Sequence, residues 1–159
     1  MRLTSFTDYS LRVLMYLSLK ENELSTISEI AERYAISRNH LMKVVYELGR
    51  LGYVETVRGK HGGMRLRHSP ASINLGEVVR RTENDMALVE CFSSQNYCRL
   101  TPSCVLHGVL REALQAFLAV LDRYSLADLL EPKQKLANLL AIEIPVRVTS
   151  STTPPPKRA

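Results

Sequence analysis

Residues 27–67 read ISEIAERYAISRNHLMKVVYELGRLGYVETVRGKHGGMRLR, and this stretch decides the fold. Ser25 or Thr26 can cap a short helix at its start, because a hydroxyl accepts a hydrogen bond from a free N–H group of the first turn. Ser37 can cap a second helix, and Gly52 can end it. A few residues join the two helices, so the stretch predicts a helix-turn-helix. The second helix is expected to pack inward through Leu41, Met42, Val45, Leu48 and Leu51.

A β-hairpin is predicted directly after this helix-turn-helix. Residues 53–57 alternate between apolar and polar side chains and are rich in β-formers, and residues 64–67 follow after a basic, glycine-rich loop. A hairpin in this position is the wing of a winged helix. The predicted fold class is therefore mainly α, a winged helix-turn-helix with a β-hairpin wing and a long C-terminal helix.

Helices are also predicted on both sides of the winged unit. Residues 4–20 and 75–81 repeat apolar side chains at helical spacing. Residues 105–124 carry a heptad-like seam, formed by Leu106, Leu110, Ala113, Phe117, Val120 and Tyr124. A single helix cannot bury so broad a stripe, so the long helix is expected to pack on its own domain, on a partner subunit or on both. Beyond Pro132 regular structure is expected to fade, and residues 149–159 have the composition of a disordered segment.

The positive charge of the chain is concentrated on the predicted helix-turn-helix and wing. The whole chain carries a formal net charge of +5, and residues 38–67 hold seven lysine or arginine residues against two glutamates. A helix in the major groove touches base edges with the side chains of its first turns, here Ser37, Arg38, Asn39, His40 and Lys43. Wing side chains can hold phosphates or enter the minor groove, here Arg58, Lys60 and His61. Together, charge, helix spacing and hairpin favour double-stranded DNA as the partner over a merely solvated basic face.

Three cysteines lie within fourteen residues that lack periodicity, as Cys91-x6-Cys98-x5-Cys104. We recognise no signal peptide or membrane span, so we expect a cytoplasmic protein without a membrane partner, in which thiols stay reduced. Three thiols on one flexible segment can hold an iron–sulfur cluster or zinc. The spacing lacks the short knuckle of structural zinc sites, and on its own it is also compatible with three incidental thiols.

The chain resembles a known family in the motifs already described. The opening MRLTSFTDY (1–9), the run ISRNHL (36–41), the wing VRGKHGG (57–63) and the three cysteines are similar to the Rrf-type bacterial winged-helix iron–sulfur repressors, in their nitric-oxide-sensitive branch. The resemblance implies a homodimer on a palindromic operator, with the long helix at the dimer interface. It implies one iron–sulfur cluster per subunit, of the 4Fe–4S or 2Fe–2S type. It also implies repression of nitric-oxide detoxification genes and release from DNA when nitric oxide attacks the cluster.

The same resemblance assigns the cluster ligands. Cys91, Cys98 and Cys104 match the cysteines that hold the cluster, and Asp8 stands where the nitric-oxide-sensitive branch takes a fourth ligand from the first helix of the partner subunit. A related branch, which regulates cluster biogenesis, uses a histidine three residues after the last cysteine, and His107 lies there. The neighbours of Asp8 follow the first branch, so Asp8 is the preferred fourth ligand and His107 is the alternative.

We divide the chain accordingly into four parts: a DNA-binding domain (1–82), a cysteine loop (83–104), a dimerisation helix region (105–131) and a flexible tail (132–159). Other functions remain open at this point. A regulator of the same fold can respond to cluster supply or redox state, and a zinc-stabilised repressor can use metal only for its structure. An iron–sulfur electron carrier or redox enzyme is disfavoured, because no helix follows the glycine pattern of the wing and no catalytic motif is recognisable.

Overall fold

The structure, a computed structural model, describes residues 2–21, 23–93 and 96–143. Its helices and strands follow the order α1 (Ser5–Leu19), α2 (Ile27–Tyr34), α3 (Arg38–Arg50), β1 (Val54–Val57), β2 (Gly63–Leu66), α4 (Leu75–Thr82), α5 (Val105–Leu121) and α6 (Lys133–Leu139). The two strands pair in an antiparallel hairpin. The predicted mainly α winged helix with a hairpin wing is therefore confirmed. None of the helices in the described ranges has the length and hydrophobicity that a membrane-spanning helix requires.

The ends of the first four helices lie close to the positions that the sequence predicts. Each of these helices begins with a cap residue whose side chain accepts a hydrogen bond from a backbone N–H group of the first turn. The cap residues are Thr4 for α1, Thr26 for α2, Ser37 for α3 and Asn74 for α4. Gly52 follows the last turn of α3 with a φ of 85°, in the left-handed region that glycine adopts most easily. These boundaries come from local hydrogen bonds, which is why they can be predicted from the sequence.

Replacing Thr26 by alanine is expected to lower the free energy of unfolding by about 1 kcal/mol. Thr26 Oγ1 accepts the N–H of Glu29 at 3.2 Å, and the Glu29 carboxylate accepts the N–H of Thr26 at 3.3 Å. Alanine removes the first of these two bonds in a helix of eight residues. Urea unfolding measures the change, and the exposed Ser28→Ala in the same helix is the control. Equal unfolding midpoints for the two variants would contradict the capping role.

The core lies between α1, α3 and α4. Side chains that are at most 1% exposed include Val13, Leu14, Tyr16 and Leu17 of α1, Leu41, Val44 and Leu48 of α3, and Val78 of α4. Burying an aliphatic side chain of this size contributes roughly 1.5–3 kcal/mol. This packing holds α3 against α1 and leaves the opposite side of α3 for solvent.

Helix α1 is buried on more sides than its apolar pattern indicates. Thr7, Ser10 and Ser18 are all buried. Ser10 Oγ donates to the carbonyl of Phe6 at 2.8 Å, and Ser18 Oγ donates to the carbonyl of Leu14 at 2.7 Å. Because these serine hydroxyls bond to their own helix, their burial leaves no donor without a partner.

The wing is hydrogen-bonded to Ser25, the residue that precedes the cap of α2. In the hairpin, Val54 lies opposite Leu66. The N–H of Met64 donates to the carbonyl of Ser25 at 2.8 Å, and the N–H of Ser25 donates to the carbonyl of Met64 at 2.9 Å. A Cβ on Gly63 would lie 2.8 Å from that Ser25 carbonyl oxygen, so the close approach requires glycine. The wing is thereby held in a defined position beside α2 and α3.

One sequence prediction is wrong at the C-terminal end. Helix α6 falls within the segment 132–159, which we expected to be a flexible tail. Ala137 is fully buried and Ile142 is 6% exposed, and both side chains belong to the apolar core. The prediction is therefore wrong for residues 133–143. Residues 144–159 lie outside the described residues.

Candidate DNA-binding face and cysteine segment

The solvent side of α3 carries the side chains that the sequence predicts to meet DNA. Ser37, Arg38, Asn39, His40 and Lys43 are all exposed. They occupy the cap and the first two turns of the helix, at the end that enters the major groove in helix-turn-helix proteins. The structure therefore brings these five residues together on one accessible surface.

Two further residues belong to this face and were not predicted there. Met42 was expected in the core, which is wrong, because its side chain is 55% exposed. Tyr46 is 73% exposed one turn further along. Residues three and four apart share a helix face, so both lie in the same row as Asn39 and Lys43. Counting helical spacing from Asn39, rather than assigning apolar residues to the core, would have found them.

The wing loop places a second group of exposed cations beside β1 and β2. Arg58, Lys60 and His61 are exposed. Gly59 has a φ of 119°, and a Cβ on Gly62 would lie 2.3 Å from a backbone carbonyl oxygen of β1. The tight loop therefore depends on both glycines. It presents its basic side chains outward, as a wing that approaches a DNA backbone requires.

The surface formed by α3 and the wing is strongly cationic, because its two glutamates are each paired with an arginine and the other cations are not. Within residues 38–67, Arg50 neutralises Glu47 at 2.6 Å, and Arg65 neutralises Glu55 across the hairpin. Hydrogen bonds from Arg50 hold the pKa of the Glu47 carboxyl below its ordinary value. Five cations of the same stretch have no ion-pair partner among the described residues: Arg38, Lys43, Arg58, Lys60 and Arg67. This charge attracts a polyanion such as DNA.

A chain of side chains connects the start of α1 with the start of α3. Arg12 binds the Asp8 carboxylate through two nitrogens, Nε to Oδ1 at 3.0 Å and Nη2 to Oδ2 at 2.9 Å. The Arg12 guanidinium lies 6.0 Å from the centre of the Tyr9 ring, and that ring lies 6.2 Å from the ring of His40. Asp8, the preferred fourth ligand, therefore has a continuous set of contacts to the DNA-binding face.

The three cysteines lie on the irregular segment between α4 and α5. Cys91, Cys98 and Cys104 are partly buried free thiols. Cys91 lies in a short 3-10 turn, and Cys104 directly precedes α5. Among the described residues, no three cysteine, histidine, aspartate or glutamate side chains are close enough to hold a metal ion. Within the described residues of one chain, the structure therefore does not bring three of the predicted ligands together.

His107 lies next to the cysteine segment, whereas Asp8 is bound to Arg12. The His107 ring stacks edge-on against Phe92, the neighbour of Cys91, with 5.2 Å between ring centres. Arg111 Nη2 lies 3.1 Å from His107 Nε2. Because arginine has only donors, His107 Nε2 accepts this bond, and a metal could bind that nitrogen only after the bond to Arg111 breaks. His107 therefore lies against the sequence neighbour of Cys91, with its Nε2 bonded to Arg111 in this conformation.

The chemistry of the donor set fits an iron–sulfur cluster. Three reduced thiols stand on one segment, none of them in a disulfide. Thiolates are the ligands that iron–sulfur clusters use, and a carboxylate or an imidazole can complete a coordination shell. Cys91, Cys98 and Cys104 with either Asp8 or His107 supply such a set.

The helix-turn-helix, the wing and the cationic face make this chain a winged-helix protein of the DNA-binding class. A family model described as Rrf2, iron-dependent transcriptional regulator, matches residues 3–132. The chain therefore belongs to the Rrf2 family of transcriptional regulators.

Known proteins resemble the chain over nearly its whole length. It is 56% identical over 145 residues to the HTH-type transcriptional regulator NsrR of Bacillus subtilis, covering 90% of this chain and 99% of that protein. It is 55% identical over 142 residues to NsrR of Geobacillus kaustophilus, covering 88% and 97%. The solved structure of IscR from T. potens superposes with a TM-score of 0.67 at 23% identity, covering 86% of this chain and 90% of that one. That last similarity supports the fold alone.

Proposed function

We propose that this chain is a homodimeric repressor that binds a palindromic DNA operator and releases it in response to nitric oxide, through an iron–sulfur cluster on its three cysteines. The observation that carries DNA binding is the cationic face formed by α3 and the wing. The similarity to NsrR proteins and the iron-dependent family description support a metal-dependent regulator. The nitric-oxide signal rests on the resemblance of the motifs and cysteines given above.

The dimer is supported by the surface of α5. In the described part of the chain this helix has no buried residue. Its large apolar side chains are exposed instead: Val105 is 81%, Leu106 61%, Val109 54% and Val120 43% exposed. Exposed apolar side chains in this number favour contact with the surface of a partner, because that contact removes them from water. A second copy of α5 offers the same seam, and a two-fold dimer places two α3 helices on two half-sites.

Cys91, Cys98 and Cys104 would hold the cluster in each subunit, and Asp8 of the partner subunit would complete it. When bound, the cluster supplies iron that reacts with nitric oxide. The side chains of the protein hold the ligand Asp8 in position and connect it to α3. Asp8 is held by Arg12, whose guanidinium lies against Tyr9, and Tyr9 contacts His40 on α3. A change in the partners of Asp8 therefore acts, through two side chains, on the start of the DNA-reading helix.

Small movements at this point have large effects on binding. Hydrogen bonds to base edges weaken steeply once distance and angle leave a narrow range. A shift of α3 by about an ångström is therefore enough to lose base contacts while phosphate contacts persist. Coupling between two sites in proteins is typically about 1–3 kcal/mol, or roughly 5- to 150-fold in affinity.

The test is operator binding by the protein purified without oxygen, before and after nitric oxide. The probe is a DNA duplex selected from a random library by the protein itself. We expect tight binding before treatment, weaker binding after it, and a steep fall of affinity with salt in both states. Equal affinity before and after treatment would end the sensing proposal and leave DNA binding intact. Zinc in place of iron and sulfide would instead support a zinc-stabilised repressor.

A second candidate function is regulation of cluster supply or redox state. The observation in its favour is the stacking of His107 on Phe92, next to Cys91, since the histidine-ligated branch of the family carries that role. It predicts that nitric oxide has no special effect and that DNA affinity follows cluster loading instead. Comparing untreated, cluster-free and nitric-oxide-treated protein on one operator separates the two functions.

A further inference from the structure

The C-terminal end of α5 is fastened to α4 by a bidentate ion pair. Arg80 Nη1 donates to Asp122 Oδ1 and Arg80 Nη2 donates to Asp122 Oδ2, both at 2.6 Å. Asp122 is the C-terminal cap residue of α5, and Arg80 lies near the end of α4. Two parallel bonds restrict rotation as well as distance, unlike a single contact between charges.

Gly76 is the residue that allows this close approach. A Cβ at this position would lie 1.9 Å from Asp122 Oδ1 and 3.0 Å from Arg80 Nη1. No side chain fits there while the ion pair is in place. The atoms in the way belong to the ends of side chains and not to the backbone. A methyl group at residue 76 would therefore displace the ion pair and leave α4 intact.

Asn74 and the backbone add further bonds at the same place. Asn74 Nδ2 donates to the carbonyl of Asp122 at 2.7 Å, and the N–H of Leu75 donates to the carbonyl of Tyr124 at 3.0 Å. We call Asn74, Gly76, Arg80 and Asp122 the α4–α5 clamp. It joins α4, in the winged-helix domain, to the end of the long helix.

The clamp is important for the orientation of α5, because this helix makes few other contacts with the winged-helix domain. In the described part of the chain, Leu121 is the α5 side chain that packs on the apolar core, and it lies next to the clamp. The other end of α5 follows the cysteine segment and exposes Val105 and Leu106. The direction in which α5 leaves the winged-helix domain is therefore set at one end, by the clamp together with the backbone hydrogen bonds between residues 73–75 and 124–126.

We infer that the α4–α5 clamp determines the half-site spacing that the repressor accepts, by setting the angle between each winged-helix domain and the long helix of the dimer. This inference rests on the proposed function, in which α5 forms the dimer interface. Two recognition helices on one rigid dimer fit only half-sites at a matching separation along the duplex. A loosened clamp lets each domain turn on its long helix, so more than one spacing can be bound.

The experiment selects DNA from a random duplex library with the full-length, cluster-loaded protein. It compares the wild type with Gly76→Ala, Asp122→Asn and Arg80→Lys. We expect the wild type to recover symmetric sites with one spacing. The variants should recover the same half-site sequence with a broader range of spacings, and their affinity for the wild-type spacing should fall about tenfold. Arg80→Lys retains the charge but not the bidentate geometry, so it tests orientation apart from charge.

The matched control is Glu77→Gln, which removes the negative charge from the Arg81–Glu77 pair on α4 (3.2 Å) without touching α5. It should keep the wild-type spacing. Circular dichroism, sedimentation and iron content check that fold, dimer and cluster persist. Variants that retain a single spacing, or that dissociate into monomers, would overturn the inference and leave the proposed function standing. A wild type that selects no symmetric site would overturn the proposed function itself.

Discussion

Replacing Cys98 by serine is expected to abolish the binding of iron and sulfide and to weaken operator binding roughly 5- to 150-fold. Serine has nearly the shape of cysteine, but its oxygen is a poor ligand for a soft iron centre. Cys98 is only partly buried and lies outside the apolar core, so the winged helix should fold normally. Visible absorbance, iron and sulfide counts and fluorescence anisotropy with labelled operator measure the two effects on one sample.

The control for this substitution is Ser103→Ala, an exposed change on the same segment that removes no predicted ligand. It should bind iron and DNA as the wild type does. A Cys98→Ser protein that retains its iron would remove this cysteine from the ligand set. A variant that loses iron but binds the operator at full strength would show that the metal does not control DNA binding.

Asp8→Asn and His107→Ala extend the same test to the fourth ligand. Asparagine in place of Asp8 retains the shape of the side chain and an oxygen that can accept from Arg12, but it loses the negative charge. We expect Asp8→Asn to change the cluster spectrum and its response to nitric oxide, and His107→Ala to leave both unchanged. The reverse result would assign the fourth ligand to His107 and favour the biogenesis-type regulator.

Alanine at Arg38 or at Asn39 is expected to weaken operator binding by about 1–3 kcal/mol each and to relax the base preference at one position of each half-site. Arginine pairs with guanine and asparagine with adenine through two hydrogen bonds, which alanine cannot form. Both side chains are exposed on the cationic side of α3. Their loss should therefore leave the free energy of unfolding within about 0.5 kcal/mol of the wild type.

Lys60→Ala on the wing is the matched comparison, because it removes a cation that is predicted to contact phosphate. It should weaken binding to all sequences alike and reduce the slope of log affinity against log salt by about one. Binding isotherms at several salt concentrations, with the selected operator and its single-base variants, distinguish the two patterns. Arg38 and Asn39 variants that lose affinity equally on every sequence would contradict base recognition by α3.

The parts of the fold that could be predicted are those made by neighbours in sequence. A cap such as Thr26 and a turn glycine such as Gly59 act on backbone groups within a few residues. The same holds for the alternating strands of the wing and for the order of helices around it. A motif of this kind carries its hydrogen-bond partners with it, so the sequence alone is sufficient to place it.

The sequence is least informative where elements distant along the chain decide which side chains are buried. Met42 is apolar, yet it faces solvent because Leu41 and Val44 already fill the contact between α3 and α1. Ser10 is polar, yet it is buried, and its hydroxyl donates to the carbonyl of Phe6 in the same helix. Helix α6 has no side-chain cap, and it contacts a core built elsewhere in the chain through Ala137, Leu136 and Leu140. Residue type alone does not reveal such packing.

The sequence by itself determined the winged helix, the basic surface of α3 and the wing, and the placing of three cysteines on one irregular segment, because each depends on residue type and spacing along the chain. Only the tertiary structure decided how these parts are connected. It placed Arg12 and Tyr9 between Asp8 and α3, and it joined Arg80 to Asp122 across forty-two residues. Contacts over such separations depend on how whole helices pack, and the energy of that packing is shared among many side chains rather than recorded in any single motif.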